Sequence, residues 1–365
     1  MLVLLFSSLV SFLLCGVLVY SKDWHLRFSG DHDLSGPQKF HQASTPRIGG
    51  VAIFSGFLVG FAVLALSNSS ITQSCFYILL ASLPIFIAGL AEDLTKIIGV
   101  KWRLISAFCS GLLFTWLFEI QAIRLDVIYL DTLLQNPWIA IAFLSFAIAG
   151  LANAYNIIDG FNGLASMVGI ISLGVILFVG MQVNDELVIM LALMAIGAIG
   201  GFFLWNYPRG LIFLGDSGAY WIGFLIATLS VLLVVRHAMV SPWFALMVNA
   251  YPIFETLFTI WRRAVHQGKS AGLPDGAHFH SFIYRRIMRW VHRGDGKPHH
   301  YLRNAKTSPY LWALSSFGTI PAVLWWNSSI ALMVCAAGFI ALYVYLYLKM
   351  VRFQTPEWIN RPPLK

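Results

Sequence analysis

The chain has 365 residues, of which 58% are hydrophobic and only 11% are charged, and its mean hydropathy is +0.75. This composition excludes an ordinary soluble globular domain and predicts an integral membrane protein. The net charge of +8 is spread over loops between apolar runs and does not form a basic soluble domain, which argues against a nucleic-acid-binding protein.

Apolar runs long enough to cross a bilayer recur along the whole chain, since about 20 helical residues span the hydrocarbon core. Ten-residue segments of alternating polarity do not recur, so the sequence favours an all-α fold over a β-barrel. The first run lacks a basic start and a small-residue cleavage site, and we interpret it as an uncleaved helix. We predict about eleven transmembrane helices, near residues 1–20, 48–67, 72–91, 103–120, 137–152, 163–181, 186–205, 219–235, 241–261, 309–326 and 329–350.

The basic residues predict the orientation of these helices. If successive loops lie on alternate sides, one side holds 22 of the 24 Lys and Arg residues, and the other holds only Arg124 and Arg236. Because basic loops stay in the cytoplasm, this places the N-terminus in the periplasm and the C-terminus in the cytoplasm. The whole chain, 1–365, is predicted to form one polytopic membrane domain, with 262–308 as a long basic cytoplasmic loop.

Polar residues that suit chemistry lie in the loops of the predicted cytoplasmic side. The first of these loops ends in "GPQKFHQASTPRIGG", where Lys39 and Arg47 are candidate phosphate-binding residues; topology and helix capping are the alternative explanation. The second begins in "GLAEDL", with Glu92 and Asp93 at the negative end of a helix dipole, a position that a cation or a nearby base would stabilise.

The third cytoplasmic loop contains "NAYNIIDGFNGLA", in which Asn153, Asn156 and Asp159 follow one another at intervals of three residues. One helical turn would bring them to the same face, where amide and carboxylate oxygens suit Mg²⁺. An ordinary turn is the alternative explanation of "DGFNG", but it does not require the two earlier asparagines.

The fourth loop contains "FLGDSGAYWIGF", with Asp216 among small residues at a helix start, where backbone N–H groups favour anions. The alternative is that Asp216 only caps that helix. In the fifth loop, "DGAHFHSFIYRRIMRWVHR" contains His278, His280 and Arg285. Its apolar residues share one helical face and its basic residues the opposite one, which predicts an interfacial amphipathic helix.

These polar clusters all lie at helix ends of one side, whereas a transporter is expected to carry polar groups near the middle of the membrane. Glu255 is the one acid well inside a run, and it lies only two turns from Arg262. The pattern therefore favours a site at the membrane surface that handles phosphate and metal.

The set "TPRIGG", "GLAEDL", "NAYNIIDGFNGLA", "FLGDSGAYWIGF", "PIFETL" and "DGAHFH", in this order over roughly residues 37–281, resembles a known family. It is that of the polyprenyl-phosphate N-acetylhexosamine-1-phosphate transferases, of glycosyltransferase family 4 type, which include WecA-like and MraY-like enzymes. The short "HFH" motif resembles the O-antigen or exopolysaccharide branch more than the peptidoglycan translocases.

The resemblance implies transfer of a sugar 1-phosphate from a UDP-amino sugar to undecaprenyl phosphate, with release of UMP and with Mg²⁺, or alternatively Mn²⁺, as cofactor. It implies a multi-pass protein of the bacterial inner membrane with a cytoplasmic active site, in contact with membrane lipids; a homodimer is left open. Asp216 and Asn156 match the metal ligands, and Glu92 replaces the first Asp of the usual Asp–Asp pair. The implied catalytic residues are Glu92, Asp93, Asp159, Asp216, His278 and His280, and the implied substrate-binding residues are Lys39, Arg47, Lys101, Arg103, Asn153 and Arg285.

Phosphoryl transfer depends mainly on positioning and on neutralising charge, which this composition of polar residues supplies. A transporter or flippase of a phosphorylated or lipid-linked sugar is the alternative function, because it would share the hydropathy. A CDP-alcohol phosphotransferase would need four spaced acids on two successive helices, which the sequence lacks.

Overall fold

The computed structural model describes residues 1–30, 45–67, 69–267, 277–288 and 300–352. Within these ranges the chain is all-α, and its one β-type pairing is an isolated bridge between Gly30 and Pro46. The helices are α1 (Leu2–Tyr20), α2 (Lys22–Ser29), α3 (Gly49–Leu66), α4 (Thr72–Thr95), α5 (Val100–Leu117), α6 (Ile128–Leu133), α7 (Pro137–Ile158), α8 (Leu164–Gln182), α9 (Glu186–Asn206), α10 (Gly215–Arg236), α11 (Pro242–Val248), α12 (Ala250–Arg262), α13 (Phe279–Phe282), α14 (His300–Leu324) and α15 (Ser329–Val351), with π-helical turns at Arg263–Gln267 and Ile283–Met288.

The predicted all-α membrane architecture is confirmed. Eight of the described helices are long and apolar enough to cross a membrane, namely α1, α3, α4, α7, α8, α9, α10 and α15. A ninth crossing results if α11 and α12, which are bent by 79° at Asn249, form one span. The remaining two predicted runs fold as α5 and α14, which are less apolar because α5 starts with basic residues and α14 with a polar turn.

Helix α10 lies at the centre of the bundle. It packs against α3, α4, α7 and α8, and nearly all of its residues are buried. Its side chains are hydrophobic on every face, as expected for a helix that is surrounded by other helices. The N-terminus of α10 is therefore held in place by the ends of several neighbouring helices.

Helix α1 packs lengthwise along α9 and α3. Gly197 and Gly201 of α9 bring its backbone next to the backbone of α1 at Leu4 and Ser8. Small residues at helix crossings are the usual way in which membrane helices approach each other closely, because dispersion contacts replace the missing hydrophobic drive. The first apolar run is thus a helix of the bundle that packs against α9 and α3.

Two predicted boundaries differ in ways that affect function. Helix α7 continues to Ile158, so Asn153 and Asn156 lie in its last turns and not in a loop, because no residue there interrupts helical hydrogen bonding. In the predicted loop 262–308, α14 already begins at His300.

The predicted interfacial helix lies partly outside the described residues. In its described part, Phe279 and Ile283 are buried within the protein and not exposed to lipid. Phe279 packs against Tyr343 and Tyr347 of α15, since aromatic rings supply a larger apolar contact area there than a headgroup region would. The expectation that this apolar face enters the headgroup region is therefore wrong for these residues.

Candidate active site

The N-terminus of α10 is built around the carboxylate of Asp93, at the end of α4. The backbone N–H of Asp216 donates to Asp93 Oδ1 at 2.7 Å, and the N–H of Ser217 donates to Oδ2 at 2.9 Å. The Ser217 hydroxyl also donates to Oδ2, at 2.6 Å. Asp93 is buried and acts as a helix cap supplied from another helix, so it fixes the backbone that carries Asp216.

The turn before α10 is pinned from a second side by residues 46–50. The N–H groups of Gly49 and Gly50 donate to the carbonyls of Phe213 and Leu214, and the N–H of Phe213 donates to the carbonyl of Pro46. These bonds use main-chain groups that a loop would otherwise leave to water. The "TPRIGG" and "FLGDSG" motifs are thereby joined.

Gly215 cannot carry a side chain at this junction. Its φ of +75° is in the left-handed region, and an added Cβ would overlap the carbonyl oxygen of Arg47 and the carboxylate of Asp93. Glycine is the residue that adopts this conformation without steric cost. The glycine before Asp216 thus lets three segments meet at one point.

The carboxylate of Asp216 is buried and receives three polar side chains. Asn156 donates its amide to Oδ1 at 2.8 Å, and Arg47 lies 3.5 Å from the same oxygen. Arg103 forms an ion pair with Oδ2. Side chains of α5, α7 and the segment before α3 therefore converge on the first turn of α10.

A second contact joins α7 to α10 one helical turn further on. The Tyr220 hydroxyl donates to Asn153 Oδ1 at 2.8 Å, and the Arg103 guanidinium lies 5.8 Å from the centre of the Tyr220 ring. Asn153 and Asn156 thus face the same side, as their spacing predicts. In this structure the Asn153 oxygen is used to hold Tyr220.

Asp159 follows the last turn of α7, close enough to Arg47 for the two charges to interact. Desolvation raises the pKa of Asp159 to about 7, although the positive charge of Arg47 acts in the opposite direction. An acid that is partly protonated near neutral pH is typical of functional sites.

Glu92 differs from its neighbour Asp93 in its contacts. Whereas both Asp93 oxygens bind the start of α10, Glu92 Oε2 is buried without a hydrogen-bond partner among the described residues. Glu92 lies close enough to Tyr220 for its charge to act on that side chain, as the charge of Arg103 also does. A buried carboxylate oxygen without a partner is costly, and such atoms mark places where a ligand or ion is missing or chemistry occurs.

The "HFH" segment reaches the site from the other side, next to "DGF". The His280 ring contacts Phe161 at 5.4 Å between ring centres and stacks on the His278 ring at 5.1 Å. A Cβ added to Gly160 would lie 3.2 Å from His280 Nε2. The two motifs are therefore in direct contact, and His280 faces the turn that follows Asp159.

Both carboxylate oxygens of Glu255 accept hydrogen bonds from the protein. Oε1 accepts from the Phe279 N–H and from His278 Nδ1, both at 3.1 Å, and Oε2 accepts from the Tyr343 hydroxyl at 2.9 Å. The side chain is completely buried. The sequence did not predict that Glu255 binds the "HFH" segment. The available signal was an acid inside an apolar run, in the motif "PIFETL".

Two of the predicted phosphate-binding residues that the structure describes, Lys101 and Arg285, are not brought to Asp216. Lys101 is exposed on α5, and the two-residue step from Arg103 turns its side chain by about 200° to another face. Arg285 is exposed on the π-helical turn Ile283–Met288. Lys39 lies outside the described residues.

Sequence reasoning also missed the asparagines that hold the loops behind the site. Asn206 Oδ1 accepts from the Gly163 N–H at 2.6 Å, and its amide donates to the Ile212 carbonyl at 2.8 Å. Asn304 Oδ1 accepts from the Asn162 N–H at 2.8 Å. Asn162 is buried in this frame, so a structural role accounts for it.

The residues around Asp216 suit a magnesium ion by their chemistry. Asp216, Asp159 and Asn156 offer hard carboxylate and amide oxygens, and Mg²⁺ usually takes only one or two protein carboxylates. The partnerless Glu92 Oε2 adds an uncompensated acceptor nearby. Within the described residues, no three His, Cys, Asp or Glu side chains form a ligand cluster, so a closed transition-metal site is not present there.

Comparisons with known proteins identify the family. Residues 75–234 match the family model described as glycosyl transferase family 4. A probable undecaprenyl-phosphate N-acetylglucosaminyl 1-phosphate transferase of Bacillus subtilis is 28% identical over 255 residues, which cover 69% of this chain and 69% of the relative. An undecaprenyl-phosphate alpha-N-acetylglucosaminyl 1-phosphate transferase of Thermotoga maritima is 26% identical over 287 residues, covering 78% and 82%.

A phospho-N-acetylmuramoyl-pentapeptide-transferase of Streptococcus pneumoniae is 30% identical over 230 residues, which cover 60% of this chain and 67% of the relative. The matched family region contains Glu92, Arg103, Asn156 and Asp216, which lie at or beside the first turn of α10. The chain belongs to glycosyl transferase family 4.

Proposed function

We propose that this protein transfers a sugar 1-phosphate from a UDP-N-acetylhexosamine, or a related UDP-amino sugar, to undecaprenyl phosphate and releases UMP. The observation that carries the proposal is the convergence of Asn156, Arg47 and Arg103 on the buried Asp216 at the start of α10. The names of the relatives, which are transferases of this kind, support it.

In the proposed reaction, a phosphate oxygen of the lipid attacks the β-phosphorus of the UDP-sugar. A new bond forms between that oxygen and the β-phosphorus, while the bond from the β-phosphorus to the bridging oxygen breaks. The electron pair of that bond leaves with the bridging oxygen on UMP. Such a transfer needs the attacking and leaving oxygens in line and the charge of the phosphates neutralised.

The residues at the start of α10 supply these functions. Arg47 and Arg103 would pass from Asp216 to the phosphates, because a guanidinium binds phosphate oxygens in pairs. Glu92, with its partnerless oxygen, is the side chain that would orient the lipid phosphate or accept its proton. Asp93 would act through the backbone of Asp216. Asp159, His278 and His280 would lie beside the UDP-sugar.

We propose Mg²⁺ as the cofactor, held by Asp216 and Asn156. When bound, the ion neutralises pyrophosphate charge and stabilises the leaving phosphate. Mn²⁺ has the same preference for oxygen ligands and is the expected substitute. The arrangement of hard oxygens at Asp216 supports this assignment.

We further propose that the reaction initiates a lipid-linked polysaccharide such as O-antigen, at the cytoplasmic face of the bacterial inner membrane. The "HFH" motif supports the first point, the polysaccharide pathway. The one-sided distribution of basic residues supports the second, the cytoplasmic face.

The test is UMP release by the purified protein from a panel of UDP-N-acetylhexosamines, with undecaprenyl phosphate and Mg²⁺ each present or omitted. We expect release that requires both lipid and metal, that stops with EDTA, and that identifies the sugar. Folded protein that releases no UMP from any donor, but moves a lipid-linked sugar across vesicles, would replace the enzyme with the flippase alternative.

A further inference from the structure

The buried acid of α12 lies outside the chemistry described above, yet it contacts a histidine of the site. Glu255 is completely buried, and three donors from two segments converge on its carboxylate: His278 Nδ1, the Phe279 N–H and the Tyr343 hydroxyl. Removing a carboxylate from water costs free energy, so a buried carboxylate is retained only when hydrogen bonds compensate its charge. Two of its three donors belong to the "HFH" segment.

The contacts fix which edge of His278 is free. Glu255 Oε1 and Thr259 Oγ1 lie 3.1 Å and 3.2 Å from Nδ1, so this nitrogen is engaged on the α12 side. Among the described residues, Nε2 forms no hydrogen bond. A histidine whose one nitrogen is held by a carboxylate presents the other in a fixed orientation.

The orientation of the His278 ring also restricts the second histidine, His280, because the two rings are stacked. The His278 and His280 rings are stacked at 5.1 Å with an angle of 17° between their planes, and His280 contacts Gly160 and Phe161. Rings that stack in a closed space move together, since interiors are packed without free volume. Glu255 thus lies at one end of a rigid series of groups that ends at the turn after Asp159.

Resting on the proposed function, we propose that Glu255 is a positioning residue that holds His278 so that its Nε2 edge binds a phosphate oxygen of the UDP-sugar. It acts through His278 and does not itself touch the substrate. The negative charge of Glu255 makes its hydrogen bond with His278 Nδ1 stronger than a bond with a neutral acceptor. The His278 ring is therefore held in one orientation.

The experiment measures the Kd of UDP for the full-length protein by titration calorimetry, in a double-mutant cycle with Glu255→Gln and His278→Asn. Gln has the same size but no charge, and Asn lacks any group at the position of Nε2. We expect each single variant to weaken UDP binding about 10-fold and the double variant to weaken it no further, because coupled residues are non-additive. Two independent losses would multiply to about 100-fold, and that result would overturn the proposal.

Control variants separate positioning from general stability. Tyr343→Phe removes a donor from the same carboxylate but leaves Oε1 with His278, so the Kd of UDP should remain within about 2-fold of the wild type. If Glu255→Gln does not fold, Glu255→Asp keeps the charge and withdraws it by one methylene. It should give a smaller loss that also disappears in the His278→Asn background.

A structural loss would lower the fraction of active protein, and hence apparent kcat, without changing the Kd of UDP. Unchanged Kd in folded Glu255→Gln protein therefore contradicts the inference even if turnover falls. If the wild type binds UDP but releases no UMP, the proposed reaction fails while the cycle still decides the role of Glu255. Wild-type protein that neither binds UDP nor releases UMP overturns both.

Discussion

Asp93 Oδ1 lies 2.7 Å from the backbone nitrogen of Asp216, so the carboxylate of one site residue holds the main chain of another. The two residues are 123 positions apart and come from α4 and α10. The pair "ED" in the sequence therefore divides into two roles. Asp93 stabilises the helix start, whereas Glu92 keeps one oxygen without a hydrogen-bond partner among the described residues.

The first prediction separates these two roles. Asp93→Asn replaces one carboxylate oxygen by an amide donor, which faces N–H groups and leaves a buried donor unpaired. We expect a loss of about 1–3 kcal/mol in the free energy of unfolding together with a loss of activity. Thermal unfolding in detergent and UMP release measure the two effects.

Glu92→Gln is the matched variant. Because Glu92 Oε2 has no partner among the described residues, its replacement should leave the unfolding temperature unchanged. UMP release should fall by about 100-fold or more, the usual contribution of a general base. A Glu92→Gln protein with wild-type kcat would assign the proton acceptor elsewhere.

The second prediction concerns the charge of Asp216. Asp216→Asn keeps the size of the side chain but removes the charge that pairs with Arg103 and Arg47. We expect UMP release to be abolished while the protein stays folded, as judged by its elution from gel filtration. Asp126→Asn serves as the control and should retain activity. It removes the charge from a different ion pair, that of Asp126 with Arg124, and not from the pair at Asp216.

The third prediction tests the turn before α10. Gly215→Ala adds a Cβ at a φ of +75° and against the Arg47 carbonyl and the Asp93 carboxylate, so the turn must shift. We expect lower stability by more than about 1 kcal/mol and loss of activity. Gly174→Ala is the control, since its Cβ meets no atom within 4 Å and Ala favours a helix. Equal behaviour of the two variants would argue against a strained junction.

The fourth prediction is a pH dependence at the opposite end of the helices. Burial alone would raise the pKa of Asp185, but hydrogen bonds from His237, Val188 and Arg236 outweigh it and hold that pKa below its usual value. A lowered pKa means that the carboxylate stabilises the fold fully above its unfolded pKa of about 3.9. This stabilisation is lost as the pH falls through the folded pKa.

The measurement compares the unfolding temperatures of the wild type and Asp185→Asn between about pH 6 and about pH 3. The variant should be less stable at the upper end, and the difference should shrink toward the lower end. A difference that stays constant with pH would show that the charge of Asp185 does not contribute.

Two pairs of site residues show which features the sequence alone predicts and which it does not. The spacing of Asn153 and Asn156 predicts that they share one helical face, and the structure confirms this, because helical periodicity is a local property. The separate roles of Glu92 and Asp93 were not predicted, since nothing in two adjacent acids says which of them meets a distant helix start.

Hydropathy determined that this chain is a helical membrane protein, because each helix satisfies its own backbone and needs only about 20 consecutive apolar residues. The sequence also identified the loops where polar groups gather. Only the tertiary structure decided that Asp93 caps α10, that Arg103 pairs with Asp216 and that Glu255 holds His278. The reason is physical: each of these contacts joins residues that lie far apart in the chain, and their distances follow from how whole helices pack around α10.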